Sequence, residues 1–368
     1  MDLTFEEFRD SLASRSRRAR VLKRDGRHFF VLISQQFSKE ELDNLCDTAT
    51  AIRRLDRHVD GRDYLRNLLR GARIMNLFAQ PSTRTAESFV AAADKLGAHS
   101  RLVSDIRTSS FSKGESVEDS VRTLSSFFDG IVARHPDDDF GIRAAWALSK
   151  TQRTIPVISA GSGKSQHVTQ SLLDFYTLRY SLADRGGVDG KTVMIVGDIA
   201  RNRAGRSLAY LLTKFENPKI HFVSPAAYAP DDDLLAYIRG HDIEVHVHNA
   251  IEPLLREHGE SIDAMYMTRL QQEWDKGNTA GQPNADQKLG TANDFILHHD
   301  YRKYIRPDCV LMHPLPRVNE LPDEWEEHPG FVVWRQVRNG MWIRAAVFAT
   351  VFGADEEIRD RGRRLGLM

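Results

Sequence analysis

Residues 78–97 read FAQPSTRTAESFVAAADKLG: the end of a strand, a turn at Pro81, then a helix. The first turn of that helix carries Ser82, Thr83, Arg84 and Thr85. A turn of this kind brings unpaired backbone N–H groups, three hydroxyls and a guanidinium to one place. The helix dipole favours an anion there. The stretch therefore predicts an α/β unit and a phosphate ligand together.

The neighbouring sequence keeps the same rhythm. Short apolar runs at 74–78, 101–104, 130–133 and 155–159 are each followed by a helical or turn-rich segment. That alternation predicts a parallel sheet with helices on its faces. A helical pattern over 170–182 leads to Gly186-Gly187 and a second set of runs at 192–196, 220–223, 243–248, 264–267 and 310–312. A second α/β unit follows from it. Asn339-Gly340 then precedes an apolar helix expected over 342–352, and the polar stretch 276–287 reads as a loop. Near the N-terminus, Thr4 with Glu7 and Ser38 with Glu41 have capping-box spacing. The first opens an amphipathic stretch of about three turns. Residues 15–27 form a basic run that reads as a solvated arm or helix face.

Composition narrows the class. With 51 basic and 51 acidic residues among 368, no charge bias points to nucleic acid. Two cysteines, Cys46 and Cys309, suit a reducing cytoplasm rather than a disulfide framework. No apolar run reaches the roughly 20 residues that span a bilayer, and the acidic start MDLTFEEF predicts no secretory signal. Residues 161–165, GSGKS, imitate the end of a P-loop, but Ile158 stands where its first glycine is required and Gln166 interrupts a dinucleotide pattern. No nucleotide site is expected.

The remaining chemistry gathers behind predicted strands, where open α/β sheets bind ligands. Arg134-His135-Pro136 ends one run, and His167 and Gln170 open a helix. Arg203 follows Val196-Gly197-Asp198, Arg269 and Gln271 follow Tyr266-Met267, and residues 313–317, HPLPR, follow Leu311-Met312. Arginines predominate, as in sites that grip phosphate and carboxylate through paired hydrogen bonds.

The segments PSTRT (81–85), SKGES (112–116), VARHP (132–136), HVTQSLLDFYT (167–177), MIVGD (194–198), MYMTRLQ (265–271), MHPLPRVNE (312–320) and NGMWIRAAV (339–347) resemble the aspartate/ornithine carbamoyltransferase family, on its aspartate branch. The resemblance runs from about residue 30 to the end. It implies two doubly wound parallel-sheet domains with the active site in the cleft between them. A carbamoyl-phosphate domain would span 1–168, with an N-terminal extension over about 1–30. An amino-acid-binding domain would span 169–339, and a C-terminal helix over 340–368 would return to the first domain.

The implied reaction carries the carbamoyl group of carbamoyl phosphate to L-aspartate, with no metal and no cofactor. By resemblance, Ser82, Thr83, Arg84 and Thr85 hold the phosphate, while Thr85, Arg134 and His167 polarise the carbamoyl oxygen. Gln170 and the carbonyls of Pro314 and Leu315 accept from the carbamoyl NH2. Ser109 and Lys113 match a loop that enters a neighbouring subunit's site, which implies a homotrimer. Arg203, Arg269, Gln271 and Arg344 match positions that grip the acceptor, and regulatory or partner chains are open. The sequence departs from the family at Ala86, Val168, Ala204 and Trp274. The last two lie on the acceptor side, which leaves room for another amine as acceptor or for a silent partner subunit.

Overall fold

A computed structural model describes residues 3–104, 114–270 and 292–367 of the chain. The chain folds as two compact units, Met1–Leu173 with Arg338–Met368, and Asp174–Val337. Each contains its own parallel sheet and its own apolar core.

The first unit begins with α1 (Phe5–Ser11), α2 (Arg15–Leu22) and a small hairpin, β1 (Lys23–Arg24) with β2 (Arg27–His28). The expected capping box is present, with the Thr4 side chain accepting from the Glu7 amide. The three-turn helix expected after it is instead two helices, because Ser14 takes an extended conformation before α2. Phe5 and Phe8 of α1 are buried, with Leu12 just after it; Phe5 meets Trp146 edge-on at 5.7 Å. Arg15, Arg17 and Arg20 are exposed on α2, a solvated helix face.

Next come α3 (Lys39–Leu55), capped by Ser38 as expected, and α4 (Val59–Leu68). The sheet elements follow: β3 (Arg73–Phe78), α5 (Thr83–Lys95), β4 (His99–Val103), α6 (Val117–Ser125), β5 (Gly130–His135), α7 (Phe140–Ser149), β6 (Val157–Ser162) and α8 (Val168–Ser181). The strand order is β4-β3-β5-β6, all parallel. The central strand β3 is buried from Ile74 to Phe78, whereas the edge strand β4 is half exposed. Continuous apolar runs mark central strands covered on both faces. The chain passes from β3 to β4 on one side and to β5 on the other. Its topological switch point is therefore the gap between the ends of β3 and β5.

The second unit repeats the plan with β7 (Thr192–Val196), α9 (Arg203–Leu212), β8 (Lys219–Val223), α10 (Asp232–Arg239), β9 (Glu244–His248), α11 (Ile251–His258), β10 (Ala264–Met267) and β11 (Val310–Met312). The order β11-β10-β7-β8-β9 puts its switch point between β7 and β10.

The chain ends with α12 (Val333–Phe352) and α13 (Asp355–Arg364). Here expectation and structure differ. Asn339-Gly340 lies inside α12, not before it. A Cβ on Gly340 would stand 2.7 Å from the Arg344 guanidinium and 3.3 Å from Leu173, so this glycine serves close packing and makes no turn.

Gly197, at the end of β7, has a φ of +124°, and a Cβ there would meet Thr268 Oγ1 at 2.3 Å and its carbonyl oxygen at 2.5 Å. Gly190, with φ +68°, has open space around it. We expect Gly197→Ala to cost about 3 kcal/mol or more of unfolding free energy, against about 1 kcal/mol for Gly190→Ala. Urea denaturation of both variants checks this; equal losses would count against the tight approach of the β7 and β10 ends.

Candidate active site

The turn between β3 and α5 is held by backbone. The amides of Ala79 and Gln80 donate to the Arg134 carbonyl at 2.8 and 3.3 Å, and Arg134 lies beside Phe78 in the β3–β5 register. The turn into α5 thus sits at the switch point of the first sheet. Ser82 occupies the N-cap, yet its side chain makes no capping bond. Its hydroxyl donates to Thr85 Oγ1 at 3.0 Å. A serine at an N-cap ordinarily accepts from an amide of the first turn, so this helix start keeps its donors for something else. Thr83 and Arg84 are exposed, Thr85 is buried, and desolvation lowers the pKa of the Arg84 guanidinium.

Arg134 ends β5, and its Nη1 donates to the Ala160 carbonyl at 3.2 Å and to His167 Nε2 at 3.4 Å. An arginine donor at Nε2 puts the proton of His167 on Nδ1. The second bond is long, hence weak and readily replaced. His167 is buried, and Gln170 lies in the first turn of α8 behind it. The structure thus gathers the 82–85 turn and Arg134 at neighbouring strand ends, with His167 against Arg134. His135 is turned to the fold instead, for its Nδ1 accepts from the Asp137 amide at 3.0 Å and its ring stacks on Phe140 at 4.2 Å. Burial pushes its pKa down. The GSGKS loop is closed internally, since Asp138 Oδ1 accepts from the amides of Lys164 and Ser165 at 2.6 and 3.1 Å.

In the second unit the HPLPR turn hangs on a buried polar relay. Tyr266 Oη donates to Asp174 at 2.6 Å, and Gln336 Nε2 donates to the other Asp174 oxygen at 2.7 Å. Gln336 Oε1 accepts the His313 amide at 3.0 Å. His313 Nδ1 accepts the Leu315 amide at 2.8 Å, which leaves Nε2 to donate to Glu320 at 2.7 Å. One imidazole therefore fixes Leu315, whose φ of +59° costs a branched residue about 1 kcal/mol or more. Pro314 and Leu315 are half-buried at the end of β11.

The two remaining strand ends supply cations. Arg203 opens α9, where Asn202 caps the amides of Ala204 and Gly205 at 3.0 and 3.1 Å. Nearby, Arg201 is bound to buried Asp198 at 2.6 Å, and Arg206 donates to Asp231. Arg269 follows β10, where Thr268 Oγ1 donates to the Val196 carbonyl at 2.6 Å. Arg344 belongs to the first unit, where its Nη1 donates to Ser88 Oγ at 2.7 Å and its guanidinium covers Phe89 at 5.0 Å. It braces α5 one turn after Arg84. Ser109, Lys113, Gln271 and Trp274 lie outside the described residues. Sequence reading passed over Asp174, Gln336 and Glu320; only Glu320, within the quoted MHPLPRVNE, lay close enough to its partner to be noticed.

The family model described as "Aspartate/ornithine carbamoyltransferase, carbamoyl-P binding domain" matches residues 27–180, and that described as "Asp/Orn binding domain" matches 189–351. The chain is 34% identical over 346 residues to the aspartate carbamoyltransferase catalytic subunit of Cellvibrio japonicus, covering 91% of this chain and 95% of that one. It is also 34% identical to the chloroplastic aspartate carbamoyltransferase of Arabidopsis thaliana, covering 86% and 76%. Aspartate transcarbamoylase of Trypanosoma cruzi in complex with N-(phosphonacetyl)-L-aspartic acid superposes with a TM-score of 0.75 at 32% identity, covering 88% and 95%.

The His313–Glu320 pair has a pH signature. Burial opposes ionisation of Glu320, but the His313 hydrogen bond, with backbone amides, outweighs it and holds the carboxyl below its usual 4.5. A depressed carboxylate contributes stability above its unfolded pKa and loses it as pH falls through the folded value. Glu320→Ala is expected to cost about 2 kcal/mol at pH 7, with the gap to wild type narrowing below about pH 4.5. Denaturation at several pH values tests this; a gap that ignores pH would refute the ionised Glu320 as the source of the stability.

Proposed function

We propose that this chain, which belongs to the aspartate/ornithine carbamoyltransferase family and is a carbamoyltransferase, transfers the carbamoyl group of carbamoyl phosphate to the amino group of L-aspartate. The products are N-carbamoyl-L-aspartate, a pyrimidine precursor, and phosphate. The observation that carries the reading is the helix start whose serine withholds its cap, set beside the Arg134–His167 pair at the switch point.

In this reading the phosphate takes the amides and hydroxyls of Ser82, Thr83 and Thr85 with the Arg84 guanidinium. The carbamoyl oxygen replaces the long Arg134–His167 bond and receives the Arg134 donor, with Thr85 and His167 around it. Attack by the amine puts negative charge on that oxygen. Donors already in place there are worth roughly 3–4 kcal/mol each. Gln170 and the carbonyls of Pro314 and Leu315 accept from the carbamoyl NH2. As the carbon–oxygen bond to phosphate breaks, the departing phosphate takes the amine proton, so no further base is required. By family resemblance, Arg203, Arg269, Gln271 and Arg344 are assigned to the carboxylates of the acceptor. We further propose a homotrimer in a reducing, cytoplasmic setting, with Ser109 and Lys113 lent to a neighbour's site. Two buried thiols, neither in a disulfide, fit that setting.

Labelled carbamoyl phosphate offered with a panel of amines should give the carbamoylated product with aspartate alone. Preference for another amine would replace the acceptor, and no turnover by the folded protein would leave a silent subunit. Arg134→Ala is expected to lower kcat about 10²–10³-fold. Mixing Arg134→Ala with Lys113→Ala subunits should restore about a quarter of the sites if both residues serve one site across an interface. No recovery despite proven subunit exchange would remove the shared site.

A further inference from the structure

One peptide group, Pro314–Leu315, joins the buried relay of the second unit to the carbonyls assigned to the carbamoyl NH2. The Leu315 N–H donates to His313 Nδ1 at 2.8 Å. That peptide is trans and planar, so its carbonyl, which belongs to Pro314, points opposite to its N–H and away from the imidazole. Holding the one end aims the other. Among the described residues no hydrogen bond is made to the carbonyl of Pro314 or of Leu315, and both residues are half-buried just after β11. Backbone carbonyls so placed ordinarily find a donor.

The ring can do this in one tautomer only. A backbone amide can only donate, so Nδ1 must carry the lone pair and the proton sits on Nε2, 2.7 Å from Glu320. Glu320 is itself fixed, for Oε1 also accepts the Val318 amide at 3.1 Å and Oε2 the Asn319 amide at 3.2 Å. A fixed acceptor at Nε2 excludes the other tautomer. The backbone of His313 is set by the same logic. Its N–H donates to Gln336 Oε1 at 3.0 Å, so Gln336 must turn its NH2 to Asp174, at 2.7 Å. Ring and backbone of His313 are thus both locked, each by a partner whose own orientation is dictated by a backbone amide.

We propose, resting on the carbamoyl-transfer reading above, that His313 is a positioning residue for donor selectivity. By holding the Pro314–Leu315 peptide through Nδ1 it aims a carbonyl at the NH2 of carbamoyl phosphate, and so separates that substrate from acyl phosphates that have no N–H. Acetyl phosphate makes the comparison, because it keeps the phosphate and the carbonyl and puts a methyl group in place of the NH2. Against a fixed carbonyl the methyl leaves an acceptor unpaired. Against a carbonyl free to turn away it does not.

Acetyl phosphate is assayed on the full-length chain as a competitor of carbamoyl phosphate, and the ratio of its inhibition constant to the KM of carbamoyl phosphate is read. A wild-type ratio of at least about 10 is expected. His313→Gln keeps a polar group toward Glu320 but has no acceptor at the Nδ1 position, and should lower the ratio about tenfold. His313→Asn puts its Oδ1 near that position and should keep the wild-type ratio, although it gives up the bond to Glu320. A histidine that only held the fold together would order these variants by Tm and leave the ratio unmoved. If His313→Gln does not fold, Glu320→Ala takes its place, since it frees the ring to change tautomer and should lower the ratio as well. The proposal is overturned if the folded variant, His313→Gln or Glu320→Ala in its stead, keeps the wild-type ratio, or if His313→Asn loses it. It is also overturned if the wild type turns over carbamoyl phosphate yet binds acetyl phosphate as tightly. A wild type with no carbamoyl-phosphate turnover at all would overturn the function itself, and this proposal with it.

Discussion

The constraint on which the rest of this structure depends is the hold of the Arg134 carbonyl on the amides of Ala79 and Gln80. It fixes where the chain leaves β3 and so where α5 begins. A helix start attracts an anion only if its amides face the ligand and nothing within the protein has claimed them. The second condition is approached among the described residues: the turn is pinned from behind by backbone, and Ser82 turns its hydroxyl to Thr85 instead of capping an amide. The same Arg134 that offers its carbonyl to the turn offers its guanidinium to His167. Position and charge are therefore coupled through one residue. The GSGKS loop shows the contrary case, a glycine-rich turn whose amides are filled by Asp138.

The second unit solves a related problem with side chains. Leu315 stands in a backbone conformation that leucine disfavours. The relay from Tyr266 through Asp174 and Gln336 to His313 and Glu320 supplies the restraint. Every hydrogen bond in it is buried, and a buried network is worth having only when its members are satisfied. The relay has both ends closed, one by the Tyr266 hydroxyl and the other by a carboxylate that stays ionised against the cost of burial.

How much of this was legible in the sequence follows from the range of each interaction. The strands were legible because both sheets are covered on two faces, so their central strands read as unbroken apolar runs. The capping boxes at Thr4 and Ser38 were legible because they span three residues. The helix start after Pro81 was legible for the same reason. The relay was not, since Asp174 reaches Gln336 across 162 positions and Tyr266 across 92. Gly340 misled: beside an asparagine a glycine reads as a turn, and only the approach of Arg344 and Leu173 shows why a helix carries one there.

The acceptor side turns on which arginines are already committed. Arg201 is closed on Asp198, a wholly buried carboxylate, and stacks over Tyr228 at 4.0 Å. Withdrawing it would strand a charge in the core, a cost of several kcal/mol. Arg206 is bound to Asp231, whose pKa is lowered because that bond and the Leu234 amide outweigh burial. Both therefore serve the fold around α9, Arg201 by anchoring the Gly197-Asp198 turn and Arg206 by joining α9 to the start of α10. The neighbours are anchors, and Ala204 beside Arg203 is buried without a hydroxyl to offer. In the proposed site, selectivity for a dicarboxylate would then rest on guanidinium geometry, with the Ala204 position adding only apolar surface. That makes the arginines, rather than the small residue beside them, the positions where a change of acceptor would have to begin.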